Sequence, residues 1–381
     1  MNTSGTTAGP AGGILLRQAG ARSLAQTRQD MLTRLGALDL AHCVQASEET
    51  GAAGGCVRFS IAEEQASAWA PGGDTLSLAR RLQLDTEQRP ADLTREIVLT
   101  LLMAPVPVEF PDLDELVSAV AIRSNIVRAA RKTTLSFHTS QAERPEDCWT
   151  YKEDCGFVIL PGVCLATALA KATQPDVSGT LYSFSCYRAT EYVILLGIAE
   201  ELVHCHPHLL QQLQALWTER PIMSGEFHEV FLREQGSMDA PLPPRYFVPG
   251  DRVWFRNPHE PSSEASGYEG SWVIYLGAGL FTNFWKYHQP YTLTDKCLEI
   301  FHWRNALYID AQGHERIDED RVEALVAASR LDAAETERIL ELMQRYRDPR
   351  GVYQHGGCLD TTREFARWVH PGSTDLVLPQ S

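Results

Sequence analysis

Nowhere in the 381 residues does an apolar run approach the ~18–20 needed to cross a membrane. The best stretch, 192–198, runs straight into Glu200 and Glu201. No basic segment followed by an apolar core opens the chain, so no secretory signal peptide is expected. Basic charge is also short: 34 Lys and Arg face 49 Asp and Glu, a net charge of −15. A polyanionic duplex is repelled by that balance, and neither nucleic acid nor membrane is expected as a partner. The nine cysteines are odd in number and irregularly spaced, which is not a disulfide framework. A reduced, cytoplasmic chain is the expectation, with export by a specialised signal-less route as the alternative. The Gly-rich stretch 51–55 lacks the Lys-Ser/Thr ending of a phosphate loop. No Asp-x-Asp-x-Asp-Gly calcium loop and no internal repeat is present, so no cofactor or metal is expected.

What is present is ordinary globular material: 44% hydrophobic and 22% charged residues, enough to bury a core without staples. Residues 1–12 read as a disordered tail. Residues 13–104 read as a helical extension, with an amphipathic helix over 13–42, a loose Gly/Ala/Ser-rich connection over 46–75, and short helices over 76–104. Helix resumes over 112–131, capped by Asp112 or Asp114. Strands and loops follow over 133–160, and a short helix over 161–173. The run Leu181-Tyr182-Ser183-Phe184-Ser185-Cys186 is extended and leads into a helix to about 202. After a helical stretch over 206–240, the pattern turns to strands at 245–248, 252–256 and 271–276, with a further pair at 297–303 and 306–309. Helices over 319–329 and 332–346 and a loop-like tail from 351 complete the chain.

Cys186 carries the strongest chemical signal. A cysteine at the junction of an extended segment and a helix meets unpaired N–H groups and the positive end of the helix dipole, which favour thiolate and suit covalent catalysis. Plain packing competes with that reading, since free cysteine is among the most buried residue types. Glu269, between Tyr268 and Gly270 at a strand start, is a candidate base or orienter for a thiol, against the alternative of an ordinary surface glutamate. His204, Cys205, His206 and His208 crowd a helix end, but neighbours on a helix point to different faces and no second cluster matches them. Cys148, Cys155 and Cys164 have the wrong spacing for a zinc knuckle and are expected to fill space. His355 and Cys358 form a looser thiol–imidazole candidate.

Four collinear motifs resemble the bacterial spore-type transglutaminases, the protein-glutamine gamma-glutamyltransferases. They are Arg123-Ser-Asn-Ile-Val-Arg-Ala-Ala130, Tyr182-Ser-Phe-Ser-Cys186, Gly250-Asp-Arg-Val-Trp-Phe-Arg-Asn-Pro258, and 268–277 in place of the family's Trp-Arg-Gly-Glu-Asn-Val-Ile-Leu-Leu-Gly. The resemblance spans 105–325, leaving residues 326–381 as a C-terminal helical piece and tail. The departures fall on the chemistry. Ser185 stands where the family has Glu, Tyr187 and Arg188 are two extra residues before Ala189-Thr190, and the partner Glu falls on Ser271 with Glu269 two residues earlier. The family's Phe-x-His becomes Phe281-Thr282-Asn283, with His288 five residues further on.

The resemblance implies an α+β fold of the papain-like type, an antiparallel sheet packed on the helix that presents Cys186, flanked by helical N- and C-terminal extensions. It implies a calcium-independent acyltransferase without cofactor, acting on protein substrates with accessible Gln and Lys. Cys186 attacks the glutamine carboxamide, ammonia leaves, and a lysine amine resolves the thioester as an isopeptide bond. Glu269 then moves protons, Asn283 or His288 orients the thiol partner or binds the acyl intermediate, and Trp272 and Trp285 exclude water or simply fill core, with Trp254 read as core. Two rivals stand beside this: a glutamine deamidase acting as an effector on a foreign protein, and an inactive binding module on the same scaffold.

Overall fold

The structure is a computed structural model describing residues 12–18, 22–51, 54–137, 143–348 and 356–379. Residues 1–11 of the expected 1–12 tail, and His355, lie outside the described residues, while Gly12 is buried. The architecture is mixed helix and sheet. Its centre is a six-stranded sheet in the spatial order Tyr291–Thr292, Leu280–Phe281, Gly270–Gly277, Arg252–Arg256, Arg363–Ala366, Leu232–Gln235. Neighbours pair antiparallel throughout.

Against this sheet lies the Cys186–Cys205 helix, here called the cysteine helix, whose residues 192–199 are buried on every side. An apolar stripe cannot describe that stretch, because it has no solvent face; Val203 and His204 reach solvent only near the helix end. It crosses the Leu113–Lys132 helix at Gly197, where an added Cβ would lie 2.6 Å from Ile126 Cγ1 and 2.8 Å from the Ile126 nitrogen. Asn125 Nδ2 donates to the Gly197 carbonyl across the same crossing (3.2 Å).

Several expectations change. Residues 13–104 are not a purely helical extension: Ile14–Arg17, Val44–Gly51 and Gly54–Ile61 join Val108–Phe110 in a four-stranded sheet. The stretch 46–75 is largely this hairpin, because Val57, Phe59 and Ile61 alternate inward with period two, a pattern masked by the glycines at its tip. Residues 245–248 are not a strand, and 297–303 belong to the Leu293–Trp303 helix. A capping box between Thr292 and Asp295 starts that helix, and Leu293, Cys297, Leu298, Ile300 and Phe301 bury helically spaced positions. The C-terminal piece is not only helix and tail, since Arg363–Ala366 is an interior strand of the main sheet.

The N-terminal region also fixes the far end of the Gly270–Gly277 strand. Glu96, on the Pro90–Leu102 helix, accepts the Ala278 N–H at 2.9 and 3.1 Å and the Tyr275 hydroxyl at 3.4 Å. Burial raises its pKa from 4.5 to about 7, against the pull of those donors and Arg131. A raised carboxyl means the folded protein holds a proton the unfolded chain has already lost. Stability therefore falls as pH climbs through the window from 4.5 to about 7 and stays reduced above it, by about 3 kcal/mol for this group. Urea unfolding of wild type and Glu96→Gln from pH 4.5 to 8 is expected to show a shallower decline in the variant. Parallel curves contradict the assignment.

Candidate functional site

Cys186 is the first residue of its helix. Ser185 is the N-cap, in extended backbone, with its hydroxyl accepting the Arg188 N–H at 3.2 Å. The serine that replaces the family's glutamate thus starts the helix and sets the sulfur at its mouth. Cys186 is half-buried and lines a cavity of about 470 Å³ with Ser271, Asn283, Trp285, Lys296 and Glu299, among others. Burial raises the thiol pKa. The Trp272 backbone N–H, then Lys296, the Tyr187 N–H and Arg252 pull it back. Trp272 is free to do so because its N–H faces the same strand edge as that of Ile274, whose partners are Thr282 and the Leu280–Phe281 strand. That short strand ends before reaching Trp272.

Beneath the sulfur, Arg252 is fully buried. Its Nε donates to Thr190 Oγ1 (2.9 Å) and one terminal nitrogen to Glu364 (2.9 Å), and its guanidinium packs on both the Tyr187 and Trp272 rings at 4.3 and 4.1 Å, the rings themselves meeting edge-on with centroids 5.3 Å apart. This cation–aromatic layer ties the first turn of the cysteine helix to the strands. Trp254 stacks on Trp272 with centroids 5.6 Å apart and planes 11° apart. Gly270 permits that stack, since a Cβ there would meet Trp254 Nε1 at 2.5 Å.

The sequence-derived residues separate into two groups. Cys186 and Asn283 share the cavity, and Asn283 Oδ1 accepts the Trp285 N–H (3.3 Å). Glu269 does not line it. The strand begins one residue later at Gly270, so Glu269 sits outside the pleat that faces the sulfur. Its side chain is exposed while its carbonyl accepts from the Asn257 N–H. His288 is also exposed, on a turn at φ +52°, with its ring against Tyr287. The strict alignment partner, Ser271, is on the cavity wall instead.

The other clusters do not gather into a site: His204 and His208 are exposed, and of the three cysteines expected to fill space Cys148 is buried, Cys155 half-buried and Cys164 exposed. His206 Nδ1 accepts the Leu209 N–H and caps the Pro207–Glu219 helix. Cys358 is buried 3.8 Å from Cys297 and donates to the Met343 carbonyl. Among the described residues, the group of three able to gather round an ion is His228, Glu234 and Glu364, and there Glu364 already pairs with Arg252.

Sequence reasoning missed Lys296 and Glu299 because it read a strand over 297–303, which took in Glu299 and left Lys296 just outside it. The Thr292-x-x-Asp295 capping box, followed by an apolar stripe of helical period, was the signal that would have placed both on one helix facing the cavity.

The family model for protein-glutamine gamma-glutamyltransferase matches residues 76–376, extending past both ends of the 105–325 resemblance. Among solved structures, the transglutaminase from Geobacillus stearothermophilus (without C-terminal extension) is similar at 19% identity and a TM-score of 0.37, covering 57% of this chain and 98% of that one. Comparison with curated proteins gives no match. A family match over this much of the chain identifies it as a member of the protein-glutamine gamma-glutamyltransferase family.

Proposed function

We propose that this protein transfers the acyl group of protein-bound glutamine through a thioester on Cys186, within a papain-like arrangement of helix and antiparallel sheet. The observation that carries the reading is the placement of Cys186 at a helix start and on a cavity wall. The sulfur attacks the carboxamide carbon, the C–N bond breaks, and ammonia leaves carrying the thiol proton. A lysine amine of a second protein then attacks the thioester and forms the isopeptide bond, regenerating the thiol. The Trp272 N–H and the N–H groups of the helix start are the donors available to the tetrahedral oxyanion. Asn283 is placed to hydrogen-bond the acyl group, and Phe137 and Trp285, packed 5.0 Å apart on the cavity, limit water.

Membership of the family supports the acyltransferase class, and the substrates proposed are proteins with accessible Gln and Lys. One observation favours the inactive binding module instead: serine stands at both positions, 185 and 271, where the family pattern carries glutamate. Incubation with casein and a fluorescent primary amine separates the readings. Amine incorporation together with ammonia release is expected. Ammonia alone supports deamidation. Absence of both, with casein replaced by varied glutamine donors, contradicts the enzymatic reading.

A further inference from the structure

Lys296 is unusual for a lysine: it is 3% exposed, yet it lines the cavity of the nucleophile. Its Nζ donates to Glu299 Oε2 at 2.7 Å and lies 3.7 Å over the Tyr291 ring, while the Tyr291 hydroxyl donates to Glu299 Oε1 at 3.3 Å. Burying an ammonium is costly, and here a carboxylate and an aromatic face together hold it in place. The result is a fixed positive charge on the wall of the cavity that also holds the nucleophile.

Each of the remaining charges on the cavity has a partner of its own. Asp295 accepts from Arg330 at 2.7 Å, Glu319 accepts the Tyr268 hydroxyl at 2.7 Å, and Glu323 pairs with Lys286. Behind the sulfur, Arg252 is held by Thr190, Glu364 and two rings. From the cysteine helix itself, Arg188 turns to Glu191 at 2.5 Å. Lys296 shares the cavity wall with Cys186, and its charge pulls the thiol pKa down against burial.

We infer that Lys296, held by Glu299 and Tyr291, is the charge partner of the Cys186 thiolate, and that Glu299 receives the thiol proton in place of the carboxylate missing at Ser271. This rests on Cys186 being the nucleophile. In the resting site the ion pair is Lys296–Glu299 and the thiol is neutral. Moving the thiol proton across the cavity to Glu299 neutralises that carboxyl and leaves Lys296 facing the thiolate, so one ion pair replaces another and no net charge is created. When the tetrahedral adduct collapses, Glu299 returns the proton to the departing nitrogen, which leaves as ammonia. Lys296 keeps its proton throughout.

The test is the pH profile of Cys186 alkylation by iodoacetamide, read on the Cys186 peptide by mass spectrometry, in wild type, Lys296→Met, Lys296→Arg and Glu299→Gln. Lys296→Met is expected to raise the apparent thiol pKa and slow alkylation at pH 8 about tenfold, the change one pKa step produces. Lys296→Arg is expected to restore most of it. Glu299→Gln frees Lys296 from its ion pair, so it is expected to lower the apparent thiol pKa while reducing turnover. Profiles that coincide with wild type in folded Lys296→Met, or in Glu299→Gln if the former does not fold, overturn the inference. Alkylation needs no turnover. If wild type shows no Cys186-dependent chemistry, the nucleophile reading fails separately, whatever the profiles show.

Discussion

Cys186→Ala is expected to abolish amine incorporation and ammonia release together, by at least about 10⁴-fold, while leaving unfolding free energy within about 1 kcal/mol of wild type. The two halves of that expectation have different origins. No second thiol lines the cavity among the described residues, so nothing can take over the covalent step. The sulfur supports no core contact that alanine would forfeit: Cys186 is half-buried at the helix start, and the helix is begun by Ser185 rather than by the cysteine. Residual incorporation above about 1% of wild type, with the variant folded, moves the nucleophile elsewhere.

Asp251→Ala is expected to cost about 3–5 kcal/mol of stability, the range for stripping one partner from a buried ion pair. Asp251 accepts from Arg123 at 2.7 Å on one oxygen and from the Val248 N–H at 2.7 Å on the other, with both side chains almost wholly buried. Arg123 also donates to the Pro249 carbonyl. Removing the carboxylate leaves a guanidinium in the core without its counter-charge. Gly250 is part of the same joint, at φ +90° with room for no Cβ, which would lie 2.9 Å from Arg123 Cα. Denaturant titration of Asp251→Ala checks the figure, and a loss under about 1 kcal/mol contradicts it. Because the joint connects the Leu113–Lys132 helix to the Arg252–Arg256 strand, activity is expected to fall only in step with the folded fraction.

That joint explains why the chain was legible as far as it was. The segments resembling transglutaminases hold the Arg123–Asp251 pair, the Asn125 bond to Gly197 and the buried Asn257, which donates to Ser262 and the Tyr268 carbonyl. These are contacts a scaffold needs whatever its chemistry. Cys186 stood out because an extended run meeting a helix is a local pattern, and the Arg252–Arg256 and Gly270–Gly277 strands were bounded by turn residues. Glu269 shows the limit of such patterns. Its parity with Ser271 put it on the cavity face only if the strand already ran through it, and one residue of strand start decides that. The Arg363–Ala366 strand was opaque for another reason: its pairing partners, Leu232–Gln235 and Arg252–Arg256, lie far away in sequence, so no local window carries the signal. The Val44–Ile61 hairpin pairs locally, and there the glycines near its tip hid an otherwise regular alternation.

The central claim is that the glutamine acyl group is carried on one sulfur. Acid quench of the protein during turnover of a glutamine-containing peptide, followed by intact and peptide mass spectrometry, tests it most directly. The expected species is the peptide's mass less ammonia, attached to Cys186 and lost on adding a primary amine. Turnover with no adduct at Cys186, or with the adduct on another of the nine cysteines, contradicts it.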